Sequence, residues 1–301
     1  MVFTDGPQDS GTYWMIDIAT GQAKVLGETR PTIGSRDVGP TRLVRYSASD
    51  GLQMDGLLTL PPGASETRLP LVVIPHDEIM DSATDGGFYW IAQAFASRGY
   101  AVFQPNNRGT LRRGEAFRLA AAGELGGKMQ TDISDGVAAL AAEGLIDAGR
   151  VCILGEGYGG YAALAGVTLQ KGVYRCAVSI NGFARIASQV VAFGANNQRD
   201  KRGLQFWRFV TGVSDKKGAD AISPAAHADQ ADAPVLLIRG DREALEPVWE
   251  SRNMERALSK AGKSVETVVV KGDEYWAWQE ATRMQTLAAA IGFVEKNNPA
   301  R

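Results

Sequence analysis

The sequence predicts an α/β protein: a doubly wound, mostly parallel sheet with helices on both faces. Three observations carry the prediction. From Leu69 onward, short apolar runs alternate with stretches of helical period, the pattern of strands covered on both sides. At Arg150 to Gln170, an apolar run (Val151, Cys152, Ile153, Leu154) enters a Gly-rich corner and continues as a helix-forming segment, as a buried strand does when it turns sharply into a helix. Finally, 301 residues at 45% hydrophobic content suffice for one large α/β domain with a small appendage.

The elements follow in order. Gly11 to Leu26 forms two β-like runs around Ala19-Thr-Gly-Gln22 and reads as a hairpin, which must pack on something because a lone hairpin is marginal in water. Pro31 to Pro40 reads as an extended linker, so residues 1–40 are expected to be a hairpin plus linker and 41–301 the main domain. Arg42 to Ser47 and Leu52 to Leu60 pair around Ala48-Ser-Asp-Gly51, and Pro61 to Thr67 is a surface loop. The expected parallel strands are Pro70 to Pro75, Ala101 to Pro105, Arg150 to Gly155, Cys176 to Ile180, Pro234 to Arg239 and Val265 to Lys271. Helices are expected at Phe88 to Arg98, Thr131 to Glu143, Gly160 to Gln170, Pro247 to Ala261 and Glu280 to Asn297. A polar, Arg-rich helical insertion from Phe183 to Ala226 interrupts the rhythm. Ligands of such sheets sit at the carboxyl ends of the strands, which directs attention to the loops after Pro75, Pro105, Gly155, Ile180, Gly240 and Gly272.

A net charge of -2 offers no field that would recruit nucleic acid or an anionic membrane. No stretch approaches 18 uninterrupted apolar residues, and Met1 to Pro7 lacks the basic start and apolar core of a secretory signal, so the expectation is a soluble, cytoplasmic protein. Cys152 and Cys176 each lie in an apolar strand and read as reduced, buried small hydrophobes, a disulfide between neighbouring strands being the minor alternative. No cofactor is expected.

The corner at Gly155-Glu-Gly-Tyr-Gly159 has the frame of a nucleophile elbow, G-x-S-x-G, with Gly157 where the serine would stand. Further stretches accompany it: Leu57-Leu-Thr-Leu-Pro-Pro-Gly63, Gln93 to Val102, Gln104-Pro-Asn-Asn-Arg-Gly109, Gly126 to Gly136, Gly159 to Gly166, Cys176 to Gly182 and Ala233 to Gly240. Together they resemble the catalytic domain of the prolyl oligopeptidase (S9) family of serine peptidases, which includes dipeptidyl and acylaminoacyl peptidases. The likeness covers about Thr41 to Pro299. It implies an α/β-hydrolase fold, and makes the first 40 residues resemble the last hairpin of the β-propeller that such enzymes carry.

The resemblance also implies a Ser-His-Asp triad, and here the chain departs from it. Gly157 stands at the serine position, Glu243 at the acid when counted back from Pro247, and Tyr275 at the histidine within Gly272-Asp-Glu-Tyr-Trp276. A phenol with a reference pKa near 10 is a poor general base at neutrality. The family's His-Gly-Gly-Pro after the first parallel strand is replaced by His76-Asp-Glu-Ile79, and the oxyanion tyrosine by Asn107, which leaves the backbone N–H of Tyr158 as the one clear surviving donor. Positions that build the scaffold, including Gly155, Gly159, Gly160, Asp132 and Asn181, match the family, whereas those that carry its chemistry have diverged together.

The expected function is therefore that of a pseudoenzyme, a non-catalytic S9-like domain that binds a small molecule or peptide in the former site, or a protein partner such as a second copy or an active relative. The alternative is a working serine-type peptidase or esterase that uses residues outside the motif. Asp77, Glu78, Glu156, Glu243, Asp273 and Glu274 map to one edge of the sheet and favour a cationic group or divalent cation over an oxyanion, although loop charges are usually solvated. Arg108, Arg112 and Arg113 form a basic cluster beside them that either pairs with carboxylates or binds an acidic ligand. Trp276 joins the candidate ligand residues, while Trp207 and Trp278 read as packing. His76 reads as a loop histidine bonded to backbone and His227 as a solvated connector.

Overall fold

The computed structural model describes residues 1–34, 36–63, 67–81, 84, 86–195, 201–241, 248–271 and 279–300, with backbone alone for 191–195 and 201. In chain order the strands are β1 (Val2–Gly6), β2 (Asp9–Ile16), β3 (Ala23–Glu28), β4 (Thr41–Ser47), β5 (Gln53–Thr59), β6 (Leu69–Val73), β7 (Ala101–Asn106), β8 (Ile146–Glu156), β9 (Cys176–Ile180), β10 (Val235–Gly240) and β11 (Val265–Val270). The helices are α1 (Trp90–Ala96), α2 (Glu115–Leu119), α3 (Lys128–Ala142), α4 (Gly157–Thr168), α5 (Ile186–Ala195), α6 (Lys201–Thr211), α7 (Lys216–Ala221), α8 (Val248–Lys260) and α9 (Glu280–Asn297).

Eight strands form one sheet in the order β11-β10-β9-β8-β6-β7-β5-β4. The six strands from β6 to β11 run parallel, while β5 and β4 extend the β7 edge antiparallel. Strand order reverses at β6 and β8, so the carboxyl end of β8 opens onto the switch point where α/β sheets bind ligands.

Alternation along β8 explains why its sequence is continuously apolar. Val151 and Ile153 enter one core with residues of α3, α4 and α8, and Cys152 and Leu154 enter a second with Phe95 of α1 and Ile291 and Val294 of α9. All four strand residues are at most 2% exposed. Full burial of an aliphatic side chain contributes about 1.5–3 kcal/mol, so both layers hold the central strands firmly.

Three features differ from the sequence reading. A further strand, β1, pairs with β2, so the amino-terminal unit is a three-stranded antiparallel sheet and not two strands alone. The strand is short and its residues are mostly exposed, which leaves little periodic signal. Cys152 and Cys176 are joined as a disulfide, correcting the expectation of two reduced thiols. The parallel register sets them directly opposite with Cα atoms 4.8 Å apart, inside the roughly 4.4–6.8 Å that a disulfide spans. His227 is half-buried in a 3₁₀ segment, its Nε2 3.1 Å from the Asp220 carbonyl, and is not the solvated connector expected. No helix among the described residues is long and apolar enough to cross a membrane.

Candidate functional site

The corner between β8 and α4 needs its glycines. A Cβ on Gly155 would lie 2.3 Å from the carbonyl carbon of Gly159, and one on Gly159 would lie 2.7 Å from the carbonyl oxygen of Pro75. Gly157 has φ +50°, in the left-handed region that side chains avoid. A Cβ there would lie 2.7 Å from the backbone oxygen of Asp77. That same oxygen accepts the N–H of Tyr158 at 2.7 Å. The segment following β6 therefore closes over the corner and engages the N–H that the resemblance assigned to an oxyanion.

His76 lies beneath this closure. Its Nδ1 is 3.3 Å from the Glu78 carbonyl and its Nε2 3.2 Å from the Thr110 hydroxyl. Thr110 is fully buried and donates to the Asn107 carbonyl at 2.7 Å, so the contact ties two loops together and presents no nucleophile. Burial lowers the His76 pKa, opposed by the Glu78 carbonyl and by Asp81 and Asp77. Asp77 and Glu78 are exposed to solvent, yet partial desolvation by the surrounding protein raises their carboxyl pKa values, and the neighbouring charge of Asp81 adds to both. These are like charges facing one another on a short loop.

The expected basic cluster is split. Arg108 is buried, its guanidinium donating to Asp132 at 2.7 and 2.8 Å and to Asp50 at 3.0 and 3.2 Å. Asp132 also accepts the Arg108 N–H at 3.0 Å, which pins the loop after β7 to α3. Arg113 pairs with Asp55 and lies over the Phe117 ring, 4.4 Å from its centroid. Arg112 is exposed, with φ +65°. Asn107 is fully buried and donates to the Arg108 carbonyl at 3.2 Å, while its Oδ1 has no hydrogen-bond partner. Glu243, Glu274, Tyr275 and Trp276 lie outside the described residues, as do Asp273 and Trp278.

Two cavities of about 300 Å³ each flank the closing segment, and Asp77 borders both. The first is lined by Ile74, His76, Asp81, Tyr89 and Glu156, among others. Burial raises the Tyr89 phenol pKa, with the charges of Glu156 and Asp77 adding to it. The second is lined by Gly157, Tyr158, Phe183, Phe206 and Trp207, with Glu78 also at its edge. The sequence reading missed Phe183 and Phe206 and assigned Trp207 to packing; the aromatic density of Phe206-Trp-Arg-Phe209 was the available signal. Among the described residues, no group of three or more His, Cys, Asp or Glu side chains is placed to hold a metal ion.

Peptidase S9, the prolyl oligopeptidase family, matches residues 87–299. Dipeptidyl aminopeptidase BIII of Pseudoxanthomonas mexicana is 31% identical over 276 residues, 87% of this chain and 39% of that protein. Dipeptidyl peptidase family member 6 of Caenorhabditis elegans is 26% identical over 79% of this chain and 35% of its own length. The chain thus spans less than half of the relatives it matches. In fold, it superposes on a puromycin-hydrolyzing peptidase of Mycobacterium tuberculosis with TM-score 0.85 at 22% identity, over 99% of this chain and 46% of that one. The acylaminoacyl peptidase of Pyrococcus horikoshii gives TM-score 0.83 at 23% identity, over 99% and 48%. Strand order, corner geometry and sequence match agree, and the chain belongs to the prolyl oligopeptidase family as an α/β-hydrolase domain.

Proposed function

We propose that this domain has given up acyl transfer and acts by binding, with the recesses around the former nucleophile corner as its ligand site. The observation that carries the reading is Gly157 itself: no side chain is there to attack, and the space a Cβ would take lies against the Asp77 carbonyl. Engagement of the Tyr158 N–H by the same oxygen supports it, because an oxyanion would have to displace that bond. Glu243 and Tyr275 at the remaining triad positions are read from the sequence and belong to the same proposal. The ligand is a small molecule or peptide; a second copy or an active relative remains the protein-partner version. We read residues 1–40 as an appendage resembling a propeller remnant and 41–301 as the domain proper. The cytoplasmic location expected from the sequence fits poorly with the Cys152–Cys176 bond, since disulfides persist mainly in oxidising compartments.

The likeness to dipeptidyl aminopeptidase BIII favours a second reading, an active peptidase or esterase with a nucleophile elsewhere. One experiment separates the two: intact mass after incubation with a fluorophosphonate probe, alongside hydrolysis of a short acyl ester and a peptide anilide. The proposal expects no adduct and no turnover from folded protein. A stoichiometric adduct with turnover would establish the enzyme instead.

A further inference from the structure

The recess on the α6 side of Gly157 has a chemistry of its own. Its walls include four aromatic side chains, Tyr158, Phe183, Phe206 and Trp207. They belong to a continuous series of ring contacts: Tyr158 stacks on Tyr161 at 6.2 Å, Tyr161 on Phe183 at 4.8 Å, and Trp207 meets Phe183 edge-on at 5.5 Å and Phe206 at 6.2 Å. Packing of each ring against the next fixes the wall. Phe183 and Trp207 are at most 6% exposed and held by packing, whereas Phe206, 37% exposed, offers the accessible ring face of the wall.

Charge decides what such a wall receives. Two carboxylate residues, Asp77 and Glu78, border the recess and are exposed at its mouth, and no lysine or arginine lines it among the described residues. Among the described residues an anionic or oxyanionic ligand would find no counter-charge, and the Tyr158 N–H is already bonded to Asp77. A bare divalent cation would meet too few hard donors, since the remaining lining is aromatic, Ile79, Met80 and Gly157. Aromatic rings carry negative π faces, and rings set beside carboxylates favour a positive group of low hydration. The volume of about 300 Å³ suits a small organic molecule.

We propose that this recess binds a small organic cation, a substituted ammonium group enclosed by Phe183, Phe206 and Trp207 and neutralised by Asp77 and Glu78. The inference rests on the reading that Gly157 marks a binding site and not a reaction centre. It names the chemical class of ligand for that site.

The test compares choline with 3,3-dimethyl-1-butanol, its uncharged isostere, by calorimetric titration at low salt. The expected result is binding of choline about tenfold or more tighter than of the alcohol. Glu78→Gln and Phe206→Ala, both at exposed positions, should each weaken choline severalfold while leaving thermal unfolding unchanged. Equal affinity for the two probes overturns the proposal, as does binding of neither to folded protein. Choline affinity that ignores both substitutions overturns it too, because the cation would then bind elsewhere. None of these outcomes depends on the fluorophosphonate result: an adduct there would sink the non-catalytic reading, whereas a failed choline preference without adduct would sink only the choice of ligand.

Discussion

The backbone oxygen of Asp77 accepts the N–H of Tyr158 at 2.7 Å and lies 2.7 Å from the point where a Cβ on residue 157 would stand. One atom thus satisfies a donor at the amino terminus of α4, where helix N–H groups lack intrahelical partners, and crowds the space that a side chain at 157 would take. Glycine at 157 and the close approach of the Asp77 carbonyl are parts of one geometry. With glycine at 157 the carbonyl approaches freely, and with the carbonyl in place no other residue fits without movement.

Gly157→Ser should therefore destabilise the protein by about 1–3 kcal/mol, from a left-handed φ imposed on a side chain and from the contact with Asp77. It should also give no measurable peptidase activity. Urea unfolding and hydrolysis of a peptide anilide check the two halves. A stable, active variant would show that the loop opens readily and that a base stands nearby.

Much of this corner was legible beforehand, because a fully buried parallel strand leaves an unbroken apolar run and a sharp turn demands glycine, as at Gly155 and Gly159. The sequence reading starts this strand at Arg150, four residues late, because Asp147 to Gly149 interrupt the apolar run while still lying in the strand. Arg108 was assigned to a possible ligand set because nothing local shows that Asp132, on α3, and Asp50, in the β4–β5 turn, converge on its guanidinium. Periodicity reports which face is covered, not which polar groups meet across it. The aromatic recess was missed for the same reason: Phe183 and Trp207 are core residues by burial, and their role as a wall depends on the loop after β6.

The disulfide gives a further check. Native protein should resist alkylation, because Cys152 and Cys176 are fully buried. Denatured protein should take up iodoacetamide only after reduction, gaining two adducts by intact mass. With a sequence separation of 24 residues, loss of the crosslink through a Cys176→Ala change should cost about 3 kcal/mol by the chain-entropy estimate, before any packing loss. Two adducts without reductant would mean that the thiols are free.

The carboxylates on the closing loop make a pH prediction with a definite sign. Partial desolvation and the charge of Asp81 raise the pKa of the solvent-exposed Asp77 in the folded protein. The folded state then holds this proton more tightly than the unfolded chain, so its contribution to stability falls as pH rises from the ordinary value of 3.8 through the raised one. Asp77→Asn keeps the backbone oxygen and removes the titration. The variant should be more stable than the parent near neutrality and converge with it below the ordinary carboxylate range, as read from melting temperatures across pH. A parent that gains stability over the variant with rising pH would reverse the assignment.

Glu250 connects α8 to the wall of the aromatic recess. Its side chain is 1% exposed, and Oε2 accepts the N–H groups of Ala184 and Arg185, each at 3.0 Å, immediately after Phe183. Burial raises its pKa, and the two backbone donors only partly oppose this. The acceptor matters here more than the charge. Glu250→Gln keeps an oxygen for the two donors and should fold within about 1 kcal/mol of the parent. Glu250→Ala leaves the buried Ala184 donor and the part-buried Arg185 donor without this acceptor and should cost about 1–3 kcal/mol by urea unfolding. Because Phe183 is anchored next to those donors, the alanine variant should also lose choline affinity while the glutamine variant keeps it. Equal losses in both would show that the carboxylate charge, and not the hydrogen-bond acceptor, holds the wall in place.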